Sequence, residues 1–181
     1  MADEYELKMQ KAIEATEREF SKIRTSVATP AILNNIRVDY YGTPTPIPQV
    51  AKVTVPEPRM LLVTPWEKTM VEPINRAIQM ANIGVSPIMD GNGIRVAIPI
   101  LTAERRAELV KIARKHAEEG KVAIRNIRRD ANDAIKKLEK AKEITEDESK
   151  KAQESFQKTV DKYIKSVDEL RGIKEKEIME V

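Results

Sequence analysis

Cysteine is absent from this 181-residue chain, which removes disulfides, thiolate nucleophiles and thiolate metal sites and suits a reducing compartment. Long apolar runs are missing as well. The longest, such as MLLV and VAIPIL, are far too short to span a bilayer, so no transmembrane segment is expected. Aromatic residues are scarce, with one Trp, two Phe and four Tyr. The acidic start, MADEYE, has neither the charged and apolar parts of a secretory signal nor the arginine-rich character of a transit peptide. There is a single histidine, His116, and no GxxxxGK or HExxH motif. His116 sits between Lys115 and Ala117 without a partner motif and reads as a packed or solvated helix residue. Nothing here supports an enzyme, a metal site or a cofactor.

Proline is unevenly spread. All ten prolines fall between Pro30 and Pro99, together with four of the six glycines. The chain therefore switches from helix-tolerant to helix-interrupting sequence and back. Before the interval, Met9, Ile13, Thr16, Phe20, Ile23 and Val27 alternate at four and three residues and predict one amphipathic helix. After it, Thr102 is a candidate N-cap for a second helix. Its seam runs through Val110, Ala113, Ala117, Gly120, Ile124, Ile127, Ala131, Ala134, Leu138 and Ala141. Thr145 and Glu148 form a capping box for a third, carrying Phe156, Val160, Tyr163, Val167 and Leu170 on one face. Three such seams satisfy one another best as an elongated bundle, roughly 60 Å long for a helix of about 40 residues. The alanine and glycine of the second seam suit close intramolecular packing better than a self-sufficient zipper.

The interrupted interval reads as a small inserted domain. IRVDYY at 36–41, VAKVTV at 50–55 and RMLLVT at 59–64 are β-type runs, and Ile94, Val96 and Ile98 alternate after a DGNG turn. A helix is expected from about Pro73 to Asn82. The expected fold class is thus α+β, with a three-helix bundle from 1–28 and 102–181 and an α/β insert over 29–101. Val27, Ala28, Thr29, Pro30, Ile100 and Leu101 lie at the two crossings, where a double connection serves as a hinge or as a rigid junction. Tyr40, Tyr41 and Trp66 are expected to fill the small core or its rim, with base stacking as the alternative. TPTPIP at 43–48 reads as a rigid connection or a contact loop.

Charge is localised too. Residues 105–137 hold eleven Lys/Arg against five Asp/Glu, a balance of +6, whereas 138–181 hold ten against twelve and 28–104 hold six of each. Arg105, Arg106, Arg114, Lys121, Arg125, Arg128 and Arg129 lie off the apolar seam and form a candidate face for a polyanion, the alternative being a solvated charged face.

Six tracts carry a resemblance. KIRT at 22–25, RVDYYGTPTP at 37–46, PW at 65–66, DGNGIR at 90–95, LTAERR at 101–106 and EEGKVAIRNIRRDAND at 118–133 together resemble the ribosome recycling factors over essentially the whole chain. The resemblance implies an L-shaped, tRNA-like outline with a three-helix arm and an inserted β/α/β arm. It also implies a non-catalytic, cytoplasmic bacterial translation factor; a plastid or mitochondrial form, after loss of a transit peptide, is the alternative. Such a factor binds the post-termination ribosome as a monomer and splits its subunits with elongation factor G and GTP. Arg125, Arg128 and Arg129 match the family's arginine cluster, and Arg105 and Arg106 its basic pair, so the bundle is expected on large-subunit ribosomal RNA. Ser26 and Val27 depart from the pattern, standing where the family usually has glycine and arginine. A divergent paralogue that binds ribosomal RNA without recycling is the competing reading.

Overall fold

The computed structural model describes residues 2–180. The chain folds into two compact units, one of residues up to Arg24 with Ala103–Met179, the other centred on Thr25–Thr102. The fold class is α+β.

The helical unit contains α1 (Ala2–Ser21), α4 (Ala103–Lys140) and α5 (Glu146–Met179). α1 buries Met9, Ile13, Thr16 and Phe20, and α4 buries Leu109, Ala113, Ala117, Gly120, Ile124, Ala131 and Ile135. α5 contributes Phe156, Val160, Val167 and Ile178. The expected seam of α4 is correct through its middle. It shifts at the ends, where Leu109 and Ile135 are buried in preference to Val110 and Ala134, and Ala141 lies beyond the helix.

Contacts fix the helix directions. Arg114 pairs with Glu175 and Lys121 with Asp168, so α4 and α5 are antiparallel. Tyr5 meets Phe156 edge-on and Tyr163 reaches Glu6 and Gln10, so α1 and α5 run the same way. α1 approaches α4 closely at Gly120, where an added Cβ would press into Thr16 Oγ1. Thr16 is itself buried, its hydroxyl donating to Ala12 O at 3.0 Å.

α1 stops at Ser21 and does not reach Val27 as its periodicity predicts. Ser21 Oγ bonds back to Arg18 O, and the amides of Lys22 and Ile23 take the carbonyls of Glu19 and Phe20, tightening the last turn. The sequence beyond, TSVATP, joins β-branched residues to a proline and does not sustain a helix. Residues 25–28 accordingly lie with the α/β unit, where Ala28 enters the core.

The start of α5 is as expected. Thr145 N and Oγ1 both donate to Glu148 Oε2, at 2.8 and 3.0 Å, and Glu148 N returns a bond to Thr145 Oγ1 at 3.2 Å. These bonds hold the Glu148 carboxyl below its ordinary pKa. The end of α4 has no glycine. Glu143 N reaches Leu138 O and Lys142 N reaches Glu139 O, the paired bonds of a Schellman stop, with Lys142 held at φ 58°.

In the second unit an antiparallel sheet of order β3-β4-β6-β5 is built from Ala51–Glu57, Met60–Pro65, Gly93–Ala97 and Ser86–Asp90. Leu61 and Val63 of β4 and Ile94 and Val96 of β6 face one side. There α3 (Val71–Met80) buries Val71, Ile74 and Ile78 against them. A separate ribbon pairs β1 (Arg37–Tyr40) with β2 (Thr43–Pro46), followed by the single-turn α2 (Ile47–Val50). Proline content hides β2 and β5 from a propensity reading. Both are edge strands, and Pro44 and Pro46, two residues apart, point their missing N–H groups to the same edge of the ribbon. TPTP is thus a strand, neither a connection nor a loop.

The crossings are hydrogen-bonded into the α/β unit. Ser26 is 1% exposed, and its Oγ accepts from Leu101 N at 3.1 Å. Ala28 N donates to Pro58 O, and Thr29 caps the short 3-10 turn that begins at Pro30. Val27 and Leu101 are half-buried and Ile100 is exposed.

Two substitutions test the helical unit. Gly120→Ala, which would gain about 1 kcal/mol in an open helix, is expected to lose about 1–3 kcal/mol in urea unfolding through the overlap with Thr16; adding Thr16→Ala should recover most of the loss. Lys142→Gly should raise stability by about 0.5–1 kcal/mol by relieving the left-handed backbone, seen as a higher urea midpoint at constant slope.

Candidate nucleic-acid interface

α4 carries all seven candidate cations, and its spacing sorts them. Arg114, Lys121, Arg125 and Arg128 are seven, four and three residues apart, which keeps them on one flank of the helix; Arg129 follows at its edge. Arg105 and Arg106 stand apart in the first turn. Arg105 pairs with Glu108 at 2.7 Å. Arg106 reaches Met179 O at 3.4 Å, and its Nε is buried without a partner.

The flank abuts α5, a placement that the seam pattern alone does not disclose. Arg114 Nε donates to Glu175 Oε1 at 2.8 Å, an interaction that strengthens its hold on the proton. Lys121 has only 18% of its side chain exposed, with Nζ 3.1 Å from Asp168 and 3.5 Å from Glu118. It does not project freely toward solvent as expected, because its amine closes the α4–α5 contact. Arg125 Nη1 donates to Glu118 Oε1 at 2.8 Å, and this bond, with Lys121 nearby, holds the Glu118 carboxyl below its usual range.

Two arginines differ. Among the described residues neither Arg128 nor Arg129 has a carboxylate partner. Arg128 is half-buried and donates through Nη1 to Gln157 Oε1 at 3.3 Å, while Gln157 donates its own amide to Asp161 Oδ1 at 2.8 Å. Arg129 is exposed. Next to them Asn132 is half-buried with Oδ1 unpartnered. The net positive field of the flank therefore rests on Arg128 and Arg129, with Arg125 and Arg114 answered by internal carboxylates. Arginine forks fit phosphate oxygens bidentately, and contacts along one helix fix register without reading bases.

The aromatic residues of the α/β unit do not fill its core. Tyr41 is 81% and Trp66 67% exposed, and only Tyr40 packs partly against the core cluster. Tyr40 and Tyr41 hydroxyls donate to the two oxygens of Glu67, at 2.6 and 2.9 Å. Sequence reading missed Glu67, since a single glutamate after PW carries no pattern; its two partners lie 27 and 26 residues away. Among the described residues no cluster of His, Cys, Asp or Glu could hold a metal ion, and no helix is long and apolar enough to cross a membrane.

Comparison with known proteins gives one answer. The family model described as ribosome recycling factor matches residues 16–179. The ribosome-recycling factor of Brevibacillus brevis is 57% identical over 179 residues, covering 99% of this chain and 97% of that protein. That of Macrococcus caseolyticus is 55% identical, with the same coverage. Among solved structures, a ribosome recycling factor in solution superposes with a TM-score of 0.76 at 42% identity, over 99% of this chain and 96% of that one. The T. thermophilus factor, described together with E. coli elongation factor G bound to the E. coli post-termination complex, gives 0.66 at 43%, over 98% and 96%. With the helical unit, the α/β unit and the arginine flank all in place, the chain belongs to the ribosome recycling factor family.

Proposed function

We propose that this chain binds the post-termination ribosome and, with elongation factor G and the GTP which that partner hydrolyses, separates the subunits for a new round of initiation. The observation that carries this reading is the family match over nearly the whole chain, at identities above 50% to bacterial recycling factors. The T. thermophilus relative, on a post-termination complex with elongation factor G, supports the two partners. The bacterial sources of the relatives support a cytoplasmic setting.

At the level of residues, the α4 flank docks on large-subunit ribosomal RNA through Arg128 and Arg129, with Arg125 and Arg114 exchanging Glu118 and Glu175 for phosphates. Arg105 and Arg106, in the first turn, offer separate phosphate contacts off this flank. Lys121 acts within the bundle. The protein works as a monomer, because the small-residue face of α4 is consumed by α1 and α5. Its part is binding and displacement, with no bond made or broken on its own side chains. The α/β unit, joined by crossings at Val27–Pro30 and Ile100–Leu101, receives the push from elongation factor G.

Arg128→Ala and Arg129→Ala are each expected to weaken ribosome binding by about 1–3 kcal/mol and to lower the salt slope of the affinity by about 1, with helicity unchanged. Lys121→Ala should lower thermal stability and leave affinity nearly intact. Unchanged affinity in both arginine variants would remove this flank as the RNA surface. Light scattering on post-termination ribosomes tests the function itself: splitting should require this protein, elongation factor G and GTP together. Binding without splitting would mark a paralogue with a different role.

A further inference from the structure

The α/β unit holds a cavity of about 470 Å³ that the RNA-facing helix does not explain. Tyr41 and Trp66 line it as exposed rings, Tyr40 packs edge-on to Tyr41 with centroids 4.7 Å apart, and Glu67 lies among them. The remaining lining, including Thr43, Thr45 and Gln49, is uncharged, so the Glu67 carboxylate is the one charge in the cavity.

Three observations indicate that this arrangement is built for a ligand. Tyr41 and Gly42 form a two-residue hairpin loop at φ 50° and 83°, positions that favour asparagine and glycine. A bulky ring in the left-handed region is strained, and here the strain sets the Tyr41 hydroxyl on Glu67. The two phenol donors also hold the carboxylate ionised, below its ordinary pKa, while leaving part of its accepting capacity unused. Finally, Trp66, the only tryptophan in the chain, is left facing solvent beside the carboxylate.

We infer that this cavity is a docking site for an arginine side chain presented by a partner protein. Charge complementarity selects the occupant. A carboxylate set among aromatic faces attracts a cation and repels phosphate, so a nucleic-acid strand does not fit despite the available rings. Guanidinium fits better than ammonium because it is planar, weakly hydrated and able to stack on an indole or phenol face while donating to a carboxylate. The site belongs wholly to the α/β unit and is independent of whether Arg128 and Arg129 meet RNA.

Trp66 fluorescence reads the site directly. Titration of the full chain with a short acetylated Gly-Arg repeat peptide is expected to give a saturable change, and a Gly-Glu repeat or oligouridylate none. Glu67→Gln should weaken the apparent affinity roughly fivefold or more, while Glu72→Gln, which removes an equal charge elsewhere in the same unit, should not. Tyr41→Asn suits the left-handed turn and should unfold no earlier than the parent, yet bind more weakly, separating the lost ring from lost structure. No saturable change with the arginine peptide, equal affinity in Glu67→Gln, or a response to oligouridylate in its place would overturn the assignment.

Discussion

The helical unit depends on one close approach, the contact of Gly120 with Thr16. A residue with a Cβ there would force α1 away from α4, and the effect would propagate because the seam on either side is also small, with Ala113, Ala117 and Ala131 buried. Glycine in a helix interior costs about 1 kcal/mol relative to alanine; at this site that cost is offset by dispersion contacts along both helices that a wider spacing would lose. Drawing α1 onto this face leaves the neighbouring flank of α4 to α5. That geometry decides which cations are partnered internally and which remain available.

Counting charges along the chain overstates the basic surface for this reason. The surplus over 105–137 looks like a continuous cationic stripe, but Glu175, Asp168 and Glu118 answer Arg114, Lys121 and Arg125 at 2.8 to 3.1 Å. The exposed pairs of Arg114 and Arg125 add little to stability, often under about 1 kcal/mol, whereas the Lys121 pair is partly buried. Their larger effect is to shape the field, concentrating unanswered positive charge toward Arg128 and Arg129. A composition argument locates the basic helix, while the counter-charges on a second helix, 61 and 47 residues later, set its focus.

Much of the architecture was legible because local chemistry and global packing agree. The capping box at Thr145 and Glu148, the middle of the α4 seam, the DGNG hairpin and the alternation of Ile94 and Val96 all behave as their patterns dictate. The readings that failed did so where tertiary contacts overrode a pattern. Ile23 continues the α1 periodicity beyond the end of the helix, and β2 and β5 contain prolines that only an edge position tolerates. Trp66 and Tyr41 are large and apolar in an aromatic-poor chain, which favours burial, yet the core is closed by aliphatic residues such as Leu33, Ile47 and Ile74. The sequence reading places all seven candidate cations beside one seam, and all seven lie on α4; it could not reveal that Lys121 is bound into the bundle, because Asp168 belongs to another helix.

Arg128 shows how an unpaired charge can still be held in place. Gln157 supports its guanidinium through a neutral amide oxygen, and the negative charge that anchors the amide, on Asp161, stands one hydrogen bond further away. A direct carboxylate would orient the side chain equally well but would have to be displaced before a phosphate could take its place. The amide relay restricts rotamers without neutralising the cation. A free arginine surrenders up to about 2 kcal/mol of side-chain entropy on immobilisation; the Gln157 contact completes part of that ordering in advance, so an anion pairing with Arg128 would retain more of its contact energy as affinity.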